Sequence, residues 1–475
     1  MFEYAAAPEG VRPRLRDRYS HFIGGRFVEP ADGAYFKTIN PATDAMIAEV
    51  ADGSAADVDR AVAAAREALP AWSGLPGVER GKYIYRIARR IQELSRELAV
   101  AETMDGGKPI RESRDVDVPL AAQHFFYYAG WADKIGYAFA GREARPVGVC
   151  GQVIPWNFPL LMASWKLGPA LAAGNTCVLK PAETTPLTAL MLAEILEEIE
   201  LPAGVVNIVT GAGATGNALV EHPGVNKVAF TGSTEVGKKI AHAVAGTGKK
   251  LTLELGGKSP NIVFDDASID QAVEGIVQGI YFNQGHVCCA GSRVFVQESV
   301  AADVISRLKR RMGELRVGDP LDKNTDVGAI NSAAQLATIE KYVEAGKAEG
   351  GSFWQADGDV PAAGNWCKPC LFERVQPSAV VAREEIFGPV LAVMTFRTPA
   401  EAISRANNTP YGLAAGVWTD KGSKIFEIAK QLDAGVVWLN TYNKFDAASP
   451  FGGFKESGFG REGGVHGLRG YVELS

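Results

Sequence analysis

Cysteine is scarce in this 475-residue chain. Six residues, Cys150, Cys177, Cys288, Cys289, Cys367 and Cys370, are too few to staple a protein of this size. A disulfide scaffold is therefore excluded, and a reducing compartment, the cytoplasm, is expected. No uninterrupted apolar run is long enough to cross a bilayer as a helix. There is no excess of positive charge: the net charge of −6 argues against a nucleic-acid or anionic-membrane partner. The first thirty residues lack the apolar core of a secretory signal. Their arginines (Arg12, Arg14, Arg16, Arg18) are mixed with Glu3, Glu9 and Asp17, so no transit peptide is expected. Internal repeats and low-complexity tracts are missing too. What remains, 47% hydrophobic and 22% charged residues, is an ordinary globular composition with enough chain for two or three domains.

The apolar spacing predicts an irregular arm ending in a hairpin at Gly24-Gly25, then helices over 55–72, 81–102 and 119–135. From residue 147 the character changes. Short apolar strands at 147–154, 175–179, 205–209, 227–230 and 251–255 alternate with helices at 187–200 and 234–245. Near-continuous apolar strands with crossover helices mean a parallel sheet covered on both faces. A second series starts at 261–264, with a helix at 268–282 that carries a Ser268/Gln271 capping box. Strands at 293–296, 390–396 and 436–439 and helices at 300–313, 333–348 and 399–407 follow. Two doubly wound α/β domains meeting near residue 256 are expected, with a binding cleft between them.

Several stretches could carry chemistry, each with a plainer alternative. Asn283-Gln284-Gly285-His286-Val287-Cys288-Cys289 puts two thiols in a loop between a helix and a strand; buried small hydrophobes are the alternative. Phe230-Thr231-Gly232-Ser233 closes a strand and opens a helix, where exposed N–H groups attract phosphate, although a plain βα turn looks the same. Gly211-Ala212-Gly213-Ala214-Thr215-Gly216 spells G-x-G-x-x-G, a weak signal alone. Lys180 and Glu183 sit at a strand's C-terminal end, where α/β sheets bind nucleotides and a carboxylate can take both ribose hydroxyls; a surface ion pair is the alternative. Glu254 ends an apolar strand, a setting that raises a carboxyl pKa and suits a general base, or a structural hydrogen bond. Pro155-Trp156-Asn157-Phe158-Pro159 holds an amide between two prolines, either a preorganised oxyanion donor or a rigid turn. Trp366-Cys367-Lys368-Pro369-Cys370 imitates a redox C-x-x-C, but no helix follows a strand there as that motif requires.

In order along the chain, the motifs at 155–160, 180–183, 230–237, 253–257, 285–293, Glu384-Glu385-Ile386-Phe387-Gly388-Pro389 and Pro450-Phe451-Gly452-Gly453 resemble the NAD(P)-dependent aldehyde dehydrogenase superfamily of the hydrolytic type. The resemblance runs from about His21 to Glu473 and includes the 34-residue separation of Glu254 from Cys288 (288 − 254). It implies that Cys288, rather than Cys289, is the nucleophile, forming a thiohemiacetal and then a thioester. Asn157 would hold the oxyanion, Glu254 would activate the hydrolytic water, and Lys166 and Glu462 would lie on a proton exit route. For the cofactor it implies Lys180 and Glu183 at the adenosine ribose, and Phe230, Gly232 and Ser233 at the pyrophosphate. Glu385 falls to the nicotinamide ribose, with Phe387 near the ring and Ile154, Pro155, Trp156, Gly213 and Leu255 completing the set. Glu183 favours NAD, with NADP as the alternative. The substrate, a small aldehyde, would enter a tunnel of Phe158, Met162, Trp165, Val287, Cys289, Phe445 and Phe451, and no metal is implied.

The implied domains are a cofactor domain (1–125 and 146–256), a catalytic domain (257–445) and a bridging, oligomerising element (126–145 and 446–475). The stretch between Trp131 and Val147 is shorter than the family hairpin, and the chain ends at Ser475 where many members add a strand. A homodimer is therefore expected, with a tetramer as alternative. His286 replaces the family's usual glutamine; it either alters the pH profile or only keeps a hydrogen bond. The competing functions are a CoA-acylating semialdehyde dehydrogenase, which needs no water-activating base at 254, and a non-catalytic protein on the same fold.

Overall fold

The computed structural model describes residues 5–475; the first four residues of the expected cofactor domain, Glu3 among them, lie outside it. Two sheets dominate. The first has eight strands in the order Gly458–Phe459, Lys250–Glu254, Lys227–Thr231, Val149–Val153, Thr176–Lys180, Val206–Ile208, His21–Ile23 and Arg26–Val28. Its five central strands are parallel and its edges antiparallel. The second has seven: Ser352–Gln355, Cys370–Glu373, Val390–Phe396, Arg293–Gln297, Pro260–Val263, Ala414–Trp418 and Val436–Leu439, parallel except for the first. The central strands Thr176–Lys180, Lys227–Thr231 and Ala414–Trp418 are buried along their whole length, as a sheet covered on both faces requires.

In the first sheet the chain runs outward from Val149–Val153 through Thr176–Lys180 to Val206–Ile208. It then returns to lay Lys227–Thr231 on the other side of Val149–Val153. This reversal of strand order opens a crevice at the strands' C-terminal ends, where α/β sheets bind ligands. It sets the residues after Val153 beside those after Thr231.

The structure corrects several expectations. The helix expected over 81–102 is two, Gly77–Glu93 and Ser95–Gly106, broken at Leu94 (φ −95°, ψ 14°). Because Ile91 and Leu98 keep the same apolar face, spacing could not reveal the break. The helix expected over 119–135 stops at Ala129 and follows a π-helical turn, Ser113–Asp117. Ser268 caps Ile269–Tyr281 without a side-chain bond, so the expected capping box is not formed. The strands Tyr35–Ile39 and Met46–Ala51 were not foreseen; with Arg18–Tyr19 they make a small separate sheet. The C-terminal tail divides between two structures. Gly458–Phe459 joins the first sheet beside Glu254, while Val472–Leu474 pairs with Ala144–Pro146.

Candidate active site

Between the two sheets lies a cavity of about 360 Å³ that takes in Asn157, Glu254, Cys288, Cys289 and Glu462. The loop bearing the thiols is held tightly. After the helix Ile269–Tyr281 the chain passes through three left-handed residues, Asn283 (φ 47°), Gln284 (φ 52°) and Gly285 (φ 75°). Such a conformation costs about 1–3 kcal/mol per non-glycine residue and persists only where the surroundings over-determine it. Here they do. The Asn283 backbone N–H donates to Glu112 Oε2 at 2.8 Å, and the Gln284 amide donates to the Ala329 carbonyl at 2.9 Å. At Gly285 a Cβ would lie 2.2 Å from the Gly388 carbonyl oxygen, so only glycine fits.

Cys288 is partly exposed to the cavity, whereas Cys289 is buried, its Sγ 3.7 Å from Asn443 Oδ1 and its carbonyl accepting from Tyr442 Oη at 2.8 Å. The hydrogen-bonding Cys289 thiol and then burial hold the Cys288 thiol well above its ordinary pKa. Asn157 follows strand Val149–Val153 and precedes the buried helix Pro159–Ala172. Its Nδ2 donates to the His286 carbonyl at 2.8 Å, and its own carbonyl accepts from Asn283 Nδ2 at 2.9 Å. One N–H of that amide is spoken for, and the other remains free to meet an oxyanion in the cavity.

Glu254 is buried with neither carboxylate oxygen hydrogen-bonded among the described residues. Burial, followed by the nearby charge of Glu462, raises its pKa well above the ordinary carboxylate value; Lys166 and Arg461 offset this in part. Lys166 does not reach the cavity lining. It follows Trp165 on helix Pro159–Ala172, its Nζ 2.7 Å from Thr231 Oγ1 and hydrogen-bonded to Glu462. Thr231 and Glu462 both face the cavity, so the lysine connects with it through them.

The expected tunnel residues all line this cavity. Phe158, Met162 and Trp165 recur at helical spacing on one face, and Trp165 packs against Phe451 at 5.4 Å and Phe445 at 6.3 Å. Sequence reading missed Phe282, which stacks on Phe158 at 6.2 Å and 18°, and also Leu120, Tyr442 and Lys444. Phe282 belongs to the same helix-to-loop turn as Cys288, and that adjacency was the available signal. The others arrive from distant segments.

On the cofactor side, Pro155, Trp156, Gly232, Ser233, Leu255, Glu385 and Phe387 line the cavity, while Ile154, Lys180, Glu183, Gly213 and Phe230 do not. Ser233 caps the helix Thr234–Val244, its Oγ accepting from the Val236 N–H at 3.3 Å. A Cβ on Gly232 would come within 2.4 Å of the Phe230 ring, so the turn before the helix stays bare of side chain. The helix Gly213–Glu221 starts beside Lys180, whose Nζ is 3.4 Å from Glu183 Oε2. The arrangement fits a dinucleotide: a bare helix N-terminus for phosphate, a lysine–carboxylate pair at a strand end for ribose hydroxyls, and Glu385 within the cavity. Glu385 accepts from the Gly257 N–H at 3.1 Å, and burial lifts its pKa to about 7.

His286, adjacent to all of this, is fully buried, and burial lowers its pKa to about 4. Of the two alternatives raised by the sequence, the structure takes the second: a neutral ring keeping hydrogen bonds. Cys370 begins a strand and Cys367 lies in the loop before it, both as free thiols.

A thiol, an amide and a carboxyl around one cavity beside a dinucleotide-type crevice define an oxidoreductase of the two-domain α/β class. The sequence profile described as the aldehyde dehydrogenase family matches residues 27–475. The chain is 46% identical over 466 residues to the mitochondrial aldehyde dehydrogenase of Homo sapiens, covering 95% of this chain and 90% of that one. It is 44% identical over 484 residues to the mitochondrial benzaldehyde dehydrogenase of Antirrhinum majus, covering 99% and 90%. The NAD+ complex of an aldehyde dehydrogenase from Bacillus cereus superposes with a TM-score of 0.94 at 42% identity, covering 98% and 99% of the two chains. The chain belongs to the aldehyde dehydrogenase family and is an NAD-dependent enzyme oxidising an aldehyde to a carboxylic acid.

Proposed function

We propose that Cys288 is the nucleophile and that Asn157, Glu254, Lys166 and Glu462 serve it in the roles set out below. The observation that carries this reading is the convergence of Cys288, Asn157 and Glu254 on one cavity, the first from a helix-to-strand loop and the other two from strand ends of the first sheet. The Cys288 thiol gives up its proton to solvent, its sulfur bonds to the aldehyde carbon as the C=O π bond opens, and the oxyanion is met by the free N–H of the Asn157 amide and the Cys288 backbone N–H. Bound NAD supplies the hydride acceptor. The resulting Cys288 thioester is hydrolysed by water whose proton passes to the ionised Glu254, a carboxyl with no competing hydrogen bond among the described residues. The proton then leaves through Glu462 and Lys166, which are hydrogen-bonded to each other, the lysine also donating to Thr231.

Lys180 and Glu183 take the adenosine ribose, favouring NAD over NADP. Gly213, Phe230, Gly232 and Ser233 serve the pyrophosphate; Glu385, Phe387, Leu255, Ile154, Pro155 and Trp156 serve the nicotinamide half. The aromatic lining of Phe158, Trp165, Phe445 and Phe451 suits aromatic or medium-chain aliphatic aldehydes, a class to which the substrate named for the Antirrhinum relative belongs. The cofactor domain spans 1–125 and 146–256, the catalytic domain 257–445, and 126–145 with 446–475 bridge subunits of a cytoplasmic homodimer. The pairing of Ala144–Pro146 with Val472–Leu474 supports treating those ends as one unit.

The test is NADH formation over a panel of aromatic and aliphatic aldehydes, with and without CoA, for wild type and Cys288→Ala. Activity independent of CoA and lost in the variant is expected. Strict CoA dependence, or equal rates in the two proteins, overturns the reading.

A further inference from the structure

We propose that His286 is a positioning residue that ties the catalytic loop to the segment Glu385–Phe387 and so holds the nicotinamide half of the cofactor site in shape; the inference rests on the cofactor reading above. The imidazole joins two elements far apart in sequence. Its Nδ1 lies 2.8 Å from the Phe387 carbonyl, which can only accept, so Nδ1 carries the proton. Its Nε2 then accepts from the Asn331 backbone N–H at 3.5 Å. The ring packs edge-to-face on Trp156 at 4.8 Å and near-parallel to Phe387 at 5.8 Å and 21°. Trp156 and Phe387 themselves meet at 5.2 Å, so the three rings form one cluster at the wall where the cofactor residues converge.

Phe387 needs such support. Its φ of 56° is a strained conformation for a bulky residue, and its carbonyl receives only two side-chain bonds among the described residues, from His286 and from Gln335 Nε2 at 3.0 Å. The His286 backbone carbonyl also accepts the Asn157 amide. One residue thus reaches the oxyanion donor through its main chain and the cofactor wall through its side chain. The side chain can be altered while the main-chain bond stays.

The experiment uses the full-length protein and two readouts. One is the NAD dissociation constant, from quenching of tryptophan fluorescence. The other is hydrolysis of 4-nitrophenyl acetate without NAD, which needs the Cys288 thiol but not the cofactor. His286→Leu is expected to weaken NAD binding about tenfold, a loss of about 1.4 kcal/mol, with ester hydrolysis within twofold of wild type. His286→Gln, which can donate and accept at the same place, restores affinity to within about threefold. Gln335→Leu removes the other bond to the Phe387 carbonyl, away from the thiol loop, and is expected to weaken NAD by about threefold. Unchanged NAD affinity in His286→Leu and Gln335→Leu overturns the proposal. So does a parallel fall of ester hydrolysis and NAD affinity in His286→Leu, which makes the histidine a prop for the loop alone. Glu385→Gln separates this failure from failure of the cofactor reading: if it too leaves NAD affinity unchanged, the cofactor reading is what has failed.

Discussion

Replacing Glu254 by glutamine isolates the deacylation step with little collateral damage. Neither Glu254 oxygen has a hydrogen-bond partner among the described residues and burial disfavours its charged form, so the neutral amide breaks no bond and introduces no charge. Thermal melting is therefore expected to match wild type. The chemistry is not spared, because an amide cannot take a proton from water. A positioned general base contributes roughly 10²–10⁴ in rate, or about 3–5.5 kcal/mol. Attack by Cys288 and thioester formation use Asn157 and remain. Stopped-flow mixing of enzyme and NAD with aldehyde is expected to give a fast burst of one NADH per site, followed by steady turnover slowed by roughly two to four orders of magnitude. The sign of the pH dependence follows from the raised pKa. Only the ionised carboxyl accepts a proton, so wild-type deacylation rises with pH as Glu254 ionises above the usual carboxylate range. That limb disappears in Glu254→Gln. Absence of a burst would refute the reasoning, because Glu254 would then act before the thioester. Steady turnover within threefold of wild type would refute it too.

Asn157→Ala removes the proposed oxyanion donor, and the burst itself is expected to slow by about 10²–10³, the cost of deleting one such donor; an unchanged burst rate rejects the assignment. Cys289→Ala removes the thiol whose hydrogen bond contributes most to raising the Cys288 pKa. Iodoacetamide is expected to alkylate Cys288 with a pH midpoint shifted downward, while aldehyde turnover persists; loss of turnover to the level of Cys288→Ala reverses the choice of nucleophile. Glu183→Gln takes away the carboxylate paired with Lys180 that is proposed to meet the adenosine ribose, and the ratio of kcat/KM for NAD over NADP is expected to fall. Trp165→Ala empties the aromatic wall between Phe445 and Phe451. A truncation of that size costs about 3–5 kcal/mol, read as a lowered Tm, with a larger rise in KM for aromatic aldehydes than for acetaldehyde.

What could be read before the structure depended on where each residue lies relative to a strand end. Asn157, Lys180, Ser233 and Glu254 all follow or close strands of one parallel sheet, and that position alone aims a side chain or a backbone amide into the crevice. Cys288 could be chosen over Cys289 only through the family spacing. Composition is blind to which of two neighbouring thiols faces the cavity. Elements that answer to packing stayed hidden. The break at Leu94 leaves the apolar face unshifted, and the strands Tyr35–Ile39 and Met46–Ala51 bury only part of one side, so neither gave a clean period. Tunnel residues such as Leu120, Tyr442 and Lys444 come from a helix and a loop whose approach is decided by contacts across hundreds of residues.

His286 shows why local reading runs out at this site. Beside a reactive thiol, a histidine reads as a titrating group, since its ordinary pKa lies near neutrality. That inference fails because the ring's partners are the Phe387 carbonyl and the Asn331 N–H, 101 and 45 residues away: burial outweighs the carbonyl, which alone favours the charged ring, and the N–H points at the nitrogen a second proton would need. Enclosure between Trp156 and Phe387 removes the water that would stabilise the charge. The same contacts that silence the imidazole as an acid or base make it a brace, because a ring that stays neutral keeps one donor and one acceptor in fixed places. A residue that departs from the usual glutamine can therefore preserve the donor–acceptor pattern while adding an aromatic face to the cofactor wall.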